Sequence, residues 1–103
     1  MIDTNKAIIA TVKTGKVLFG TQSAINNAKI GKAKLIIVAA NCPQKTRGDI
    51  QSYCKLSNIP MVIYNGTSIE LGAVCGKPFM VSALTVKEQG NSDILKLVEA
   101  TNV

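Results

Sequence analysis

Apolar positions in this chain fall into short runs and helical stripes that alternate along its length. The strongest run lies in Lys34-Leu35-Ile36-Ile37-Val38-Ala39-Ala40-Asn41-Cys42-Pro43, apolar from Leu35 to Ala40 and closed by Asn41 and Pro43. A short, β-branched run bounded by turn formers predicts a strand buried on both faces, and such strands belong to sheets with helices on each side. Ahead of it, Ala7, Ile8 and Val12 recur at helical spacing within Thr4 to Lys13. Thr14-Gly15 closes that helix, and Lys16 to Gly20 reads as a strand. Thr21 is placed to cap a helix from Gln22 to Ile30, with Ala24, Ile25 and Ala28 inward and Gly31 as its stop. Gln22, Asn26 and Lys29 then share another side.

Beyond the central run, Pro43 suits a helix start, and Gln44 to Leu56 carries Ile50, Tyr53 and Cys54 inward, with Gly48 a weak point and Ser57-Asn58 the end. Pro60 to Tyr64 predicts another buried strand and Asn65-Gly66 a turn. Thr67-Ser68-Ile69-Glu70 has the form of a capping box, opening a short helix that ends near Gly76. Gly76 to Phe79 predicts a loop, Met80 to Val86 a last strand, and Ser92-Asp93 the start of a final helix bearing Ile94, Leu95, Leu97 and Val98. This alternation predicts an α/β sandwich with helices on both faces and, taken alone, a parallel sheet.

The 103 residues, 47% hydrophobic but only 4% aromatic and without Trp, predict one domain with an aliphatic core. No apolar run approaches the roughly 18 residues of a membrane span. Met1-Ile2-Asp3-Thr4-Asn5-Lys6 lacks the order of a secretory signal, so the cytosol and no membrane partner are expected. Histidine is absent, and Cys42, Cys54 and Cys75 form no CxxC pair. That removes the usual zinc sites and the Cys-His and Ser-His pairs, so neither metal nor cofactor is expected.

Charge changes the picture more. The net charge is +6, and from Thr4 to Gly48 eight bases (Lys6, Lys13, Lys16, Lys29, Lys32, Lys34, Lys45, Arg47) stand without one Asp or Glu. An acid-free basic half suggests a polyanionic partner.

Three chemistries compete for these residues. Gly15-Lys16 beside Gly20-Thr21 does not meet the spacing of a phosphate loop. Cys42, at a strand end before a helix, could serve as a nucleophile, but its base would have to be Asp49 or Glu70, neither at a telling spacing. A bystander thiol is the stronger reading of Cys42. The nucleic-acid reading has three loops: Gly20-Thr21-Gln22-Ser23, Asn41-Cys42-Pro43 and Lys77-Pro78-Phe79-Met80. Loops leaving the carboxyl ends of strands are where open α/β sheets bind ligands. Free N–H groups at a helix start suit phosphate, Asn and Gln amides suit base edges, and an exposed Phe suits a splayed base.

The run from Gly20-Thr21-Gln22-Ser23 through Asn26-Asn27-Ala28-Lys29 to Asn41-Cys42-Pro43 resembles the kink-turn-binding ribosomal protein superfamily. Asp49-Ile50 to Tyr53, Leu56-Ser57, Gly66-Thr67 to Glu70-Leu71-Gly72 and Gly76-Lys77-Pro78-Phe79 resemble one branch of it, the archaeal and eukaryotic large-subunit ribosomal protein thirty-e family. The similarity covers Lys16 to Leu95. It implies a three-layer α/β/α sandwich with a mixed sheet of about four strands, and binding to a kinked internal loop of ribosomal RNA with tandem G·A pairs and a flipped-out base. By position, Gly20 would bring the backbone close to RNA, Gln22 and Ser23 would touch the G·A pairs, and Lys29 would help with the RNA backbone. Asn41 would read a base edge in the neighbouring loop, which Pro43 would shape. Phe79, Met80 and Val81 would form the apolar wall near the extruded base, and Thr21, Asn26, Cys42, Lys45, Lys77 and Pro78 complete the expected RNA-binding set. General kink-turn readers of the superfamily carry Asn-Glu at Gln22-Ser23 and Lys at Asn26, a departure that fits the narrower branch.

The function expected is therefore that of a structural, non-enzymatic constituent of the large ribosomal subunit. It would be a monomer when free, with ribosomal RNA and neighbouring ribosomal proteins as partners in the cytoplasmic ribosome. A kink-turn-binding protein of another ribonucleoprotein and a small enzyme using Cys42 are the alternatives.

Overall fold

The run Leu35–Ala39 does form the central strand, with all five residues buried. In chain order the elements are α1 (Thr4–Thr14), β1 (Lys16–Phe19), α2 (Thr21–Ile30), β2 (Leu35–Ala39), α3 (Gln44–Ser57), β3 (Met61–Tyr64), α4 (Ser68–Val74) and β4 (Ala83–Glu88). This is a computed structural model, and it describes residues 4–88 and Gly90. The helix expected from Ser92 lies outside the described residues.

The sheet order is β1-β4-β2-β3. β2 pairs parallel with β3, whereas β4 is antiparallel to both β1 and β2. Because side chains alternate across a strand, β2 feeds two cores. Leu35, Ile37 and Ala39 pack with Ala7 and Ile8 of α1 and Leu71 of α4. Ile36 and Val38 pack with Ala24 and Ala28 of α2 and Ile50 and Cys54 of α3. The result is the three-layer α/β/α sandwich, with a mixed sheet of four strands.

The parallel sheet suggested by alternation alone is wrong, and helix length is the reason. At 1.5 Å per residue, α2 and α3 run about 15 and 21 Å, enough to carry the chain back across the sheet for another parallel strand. α4 has seven residues and runs about 10 Å. The chain turns at Cys75-Gly76 and climbs back along α4, so that the Val81 N–H donates to the Ser68 carbonyl at the helix start (3.0 Å). β4 therefore begins where β3 ended and must run the other way.

Several local expectations shift for identifiable reasons. Gly20, at φ 103°, is the N-cap of α2, and Thr21 is already helical. Pro43 caps α3 from outside rather than opening it. β3 is an edge strand, with Ile63 45% exposed, so it is not buried on both faces. The last strand begins at Ala83, not Met80. The capping position of Thr67 holds: its hydroxyl accepts the Glu70 N–H at 3.2 Å.

One residue works against the core. Thr85 is fully buried between β1 and β2, and among the described residues its Oγ1 has no hydrogen-bond partner. A buried hydroxyl left unpaired is worth on the order of 1 kcal/mol or more of lost stability. Thr85→Val, which keeps the shape and removes the hydroxyl, should raise the unfolding free energy by about 1 kcal/mol in urea titration. A loss of stability would mean that the hydroxyl has a partner after all.

Candidate nucleic-acid interface

Strands β1, β2 and β3 run in one direction, so their carboxyl ends deliver three loops to the same end of the sheet, and β4 starts there. The Gly20 N–H donates to the Ala83 carbonyl and the Ala39 N–H to the Ser82 carbonyl, both at 2.9 Å. The Ala40 N–H reaches the Gly66 carbonyl, also at 2.9 Å. These bonds lock the Gly20–Ser23, Ala40–Pro43, Asn65–Thr67 and Gly76–Ser82 segments into one surface.

Two helices start on this surface without a side-chain cap, α2 behind Gly20 and α3 behind Pro43. Uncapped helix starts leave N–H donors and the positive end of the helix dipole for an anion. Nothing lies within 4 Å of the place a Gly20 side chain would occupy, and its φ of 103° suits glycine. The backbone there is open to close approach. Gln22 is exposed and donates through Nε2 to Asn26 Oδ1 at 3.2 Å, so these two amides form a unit on the outer face of α2.

Phe79 and Met80 stand out at 53% and 64% exposure. The Phe79 ring meets the half-buried Phe19 edge-on, with centroids 6.2 Å apart and planes at 84°. Lys77 Nζ lies 5.1 Å from the centre of the same Phe19 ring. Such pairs hold an exposed ring in a defined orientation. Asn41 crosses between loops: its Oδ1 accepts the Ser68 N–H at 2.7 Å and caps α4. Among the described residues its amide N–H donors meet no partner and remain for a ligand.

The thiols give no support to the enzyme reading. Cys42 is buried in the core beneath α2 and α3, and burial raises its pKa, with the charge of Arg47 opposing. Burial pushes Cys54 and Cys75 up to about 11. A nucleophilic thiol needs the opposite environment. Among the described residues no cluster of His, Cys, Asp or Glu could hold a metal ion, and no helix is long and apolar enough to cross a membrane.

Comparison with known proteins decides the family. The model of the Ribosomal protein L7Ae/L30e/S12e/Gadd45 family matches residues 3–96. The chain belongs to this family. It is 53% identical over 96 residues to the large ribosomal subunit protein eL30 of Methanococcus vannielii, covering 93% of this chain and 91% of that protein. It is 45% identical over 97 residues to the eL30 protein of Methanothermobacter thermautotrophicus, covering 94% and 99%. The eL30 protein of Methanocaldococcus jannaschii is 50% identical over 98 residues, covering 95% and 89%. A solved structure of a protein of unknown function from Bacillus halodurans has the same fold, with a TM-score of 0.79 at 18% identity over 95% of this chain and 97% of that one.

For this L7Ae/L30e-family chain, the fold gathers Gly20, Thr21, Gln22, Ser23, Asn26, Asn41, Pro43, Lys45, Lys77, Pro78, Phe79 and Met80 at one end. It separates others. Lys29 sits in the last turn of α2, about 12 Å down the helix, with Nζ 5.1 Å from the Tyr53 ring centre. Val81 is 1% exposed and belongs to the core, so it cannot present its side chain as part of an apolar wall. Cys42 can offer only backbone, since its side chain is buried. The Asn65–Thr67 loop also belongs to the surface. The hydrogen bond from Ala40 to Gly66 ties it in, and the turn pair Asn65-Gly66 was its signal in the sequence.

Proposed function

We propose that this protein is a structural constituent of the large ribosomal subunit, binding a kink-turn-type internal loop of ribosomal RNA through its clustered loops. The observation that carries this reading is the joint placement of two uncapped helix starts, the Gln22–Asn26 amide pair, the free donors of Asn41 and the exposed Phe79-Met80 step on one surface. Its eL30 relatives support the ribosomal setting, and with it the cytoplasm and a role in translation. No activated nucleophile accompanies the surface, and the role is not enzymatic. Neighbouring ribosomal proteins complete its surroundings, and the free protein is a monomer.

The test is filter binding to a kink-turn RNA and to a copy whose G·A pairs are converted to Watson–Crick pairs, at two salt concentrations. Tight binding that is lost on conversion is expected. Equal, steeply salt-dependent binding to both would reduce the interaction to charge. An unrelated kink-turn from another ribonucleoprotein should bind more weakly.

Phe79→Ala should lower affinity for the kink-turn roughly tenfold or more, since base–aromatic stacking is worth about 1–3 kcal/mol. Its stability should fall by only about 1 kcal/mol, because the ring is half exposed and loses its edge-on contact with Phe19. Undiminished RNA binding by Phe79→Ala would remove the apolar step from the site.

A further inference from the structure

The loop surface does not hold the charge surplus that the sequence advertises. Around the loops stand Lys6, Lys45, Arg47 and Lys77, with Asp49 and Glu70 at the same end. The other end of the sheet is where α1, α2 and α3 stop, where β1 and β2 begin and where β4 finishes. Lys13, Lys16, Lys32, Lys55 and Lys87 stand there, with Lys29 in the last turn of α2. The Ser57 hydroxyl donates to the Ala28 carbonyl at 2.7 Å, and the Lys34 N–H donates to the Val86 carbonyl at 2.8 Å. These bonds join the α2 and α3 ends and the β2 and β4 ends into one pole. Among the described residues the one carboxylate at that pole is Glu88, opposite Lys16 in the β1–β4 register.

We propose that this pole is a second polyanion-binding surface, which holds the phosphate backbone of a separate RNA duplex while the loops engage the first RNA. Lys13, Lys29 and Lys55 also complement the negative ends of their helices. Lys87 lies on β4, where no helix dipole asks for it, while Lys16 and Lys32 follow the ends of α1 and α2 by two residues. All six are lysines, compact charges on flexible stems, whereas the one arginine, Arg47, lies at the loop end. Lysines without forks suit a backbone that offers charge at every step and carries no message to read. The molecule is 28 × 26 × 25 Å, so the pole faces a length of duplex carrying on the order of fifteen phosphate charges. An acidic protein face would have to match its carboxylates to these six positions. A duplex need not. The protein would then clamp two RNA segments on opposite ends of one sheet.

The simultaneous clamp rests on the RNA-binding reading of the loops, and the test separates the two. The full chain is first saturated with unlabelled kink-turn RNA, and a fluorescent plain duplex of about twenty base pairs, long enough to span the pole, is then titrated in. The parent complex should capture the duplex with steep salt dependence. The variant Lys16→Gln/Lys32→Gln/Lys55→Gln/Lys87→Gln should capture it roughly tenfold or more weakly, with a salt slope flatter by up to about 3.6, and should bind kink-turn RNA within about threefold of the parent. Lys45→Gln/Arg47→Gln/Lys77→Gln should show the reverse. Equal capture by the four-lysine variant and the parent would overturn the proposal, as would competition between the two RNAs for a single surface. Displacement of the duplex by polyglutamate at matched charge would overturn it in favour of an acidic protein partner. If kink-turn RNA itself fails to bind, the loop reading falls, and the pole is still judged by duplex capture in parent against variant.

Discussion

Gly72→Ala should lower stability by about 3 kcal/mol, the upper end of what overpacking does, and should take RNA binding down with it. Gly72 is buried in the middle of α4, where an added Cβ would clash with the Phe79 carbonyl oxygen and lie 3.2 Å from its carbonyl carbon and 3.4 Å from the Val81 nitrogen. All three are backbone atoms, so no side chain can swing aside. The helix cannot retreat, because Leu71 is fully buried in the core and the helix start is held by Thr67 and Asn41. The returning loop has to move instead. It would stretch the bonds from Lys77 N–H to the Gly72 carbonyl and from Val81 N–H to the Ser68 carbonyl, both 3.0 Å, and would draw Phe79 away from Phe19. Gly48→Ala is the control. It adds a methyl group where nothing lies within 4 Å, inside α3, and helix propensity predicts a gain of up to about 1 kcal/mol. Urea midpoints and filter binding read both variants. Native stability and native RNA affinity in Gly72→Ala would mean that the loop does not rest on the helix as described.

That contact also marks where the sequence stops being legible. Elements with a strong period can be read directly: the β2 run, the Ala24–Ala28 stripe of α2, the Ile50–Cys54 face of α3. Gly31 and Asn58 end α2 and α3 with left-handed caps, as their residue types suggest. The fold of the α4–β4 segment depends instead on a close approach between backbones, and hydrophobic pattern carries no trace of it. Phe79, Met80 and Val81 are three apolar residues in a row. Two face solvent and one fills the core, a difference set by where the loop turns rather than by side-chain type. Strand direction was hidden for a related reason: alternation says that β4 follows α4, and only the shortness of α4 says which way it runs.

Charge was misleading in another way. The acid-free half is contiguous in sequence, but each helix carries the chain from one end of the sheet to the other. Residues eight apart on α2, Thr21 and Lys29, therefore stand at different poles. Clustering along the chain suggested a polyanionic partner. Clustering in space is needed to see that loop chemistry and bulk charge are on different ends.

Asn41→Ala should lower both quantities at once, by about 1–2 kcal/mol in stability and about 1–3 kcal/mol in RNA binding. Its Oδ1 accepts the N–H of Ser68, the first residue of α4, and that donor is one of those a helix start leaves without an internal partner. Truncation orphans a part-buried N–H and loosens the end of the helix against which the 76–82 loop is anchored. A fall in RNA affinity alone could then come from the loosened loop rather than from a lost base contact, and Asn41→Asp separates the two. Aspartate keeps an acceptor for Ser68 and places its charge at a helix start, where the dipole favours it, so stability should stay near the parent value. It replaces the amide donors with a carboxylate on the surface proposed to bind RNA, so binding should fall at least as far as in the alanine variant. If Asn41→Asp bound RNA like the parent, Asn41 would be a strut between two loops, and base readout would have to come from Gln22 and Asn26. Stability retained and binding lost would make one amide both the cap of α4 and a reader of the RNA.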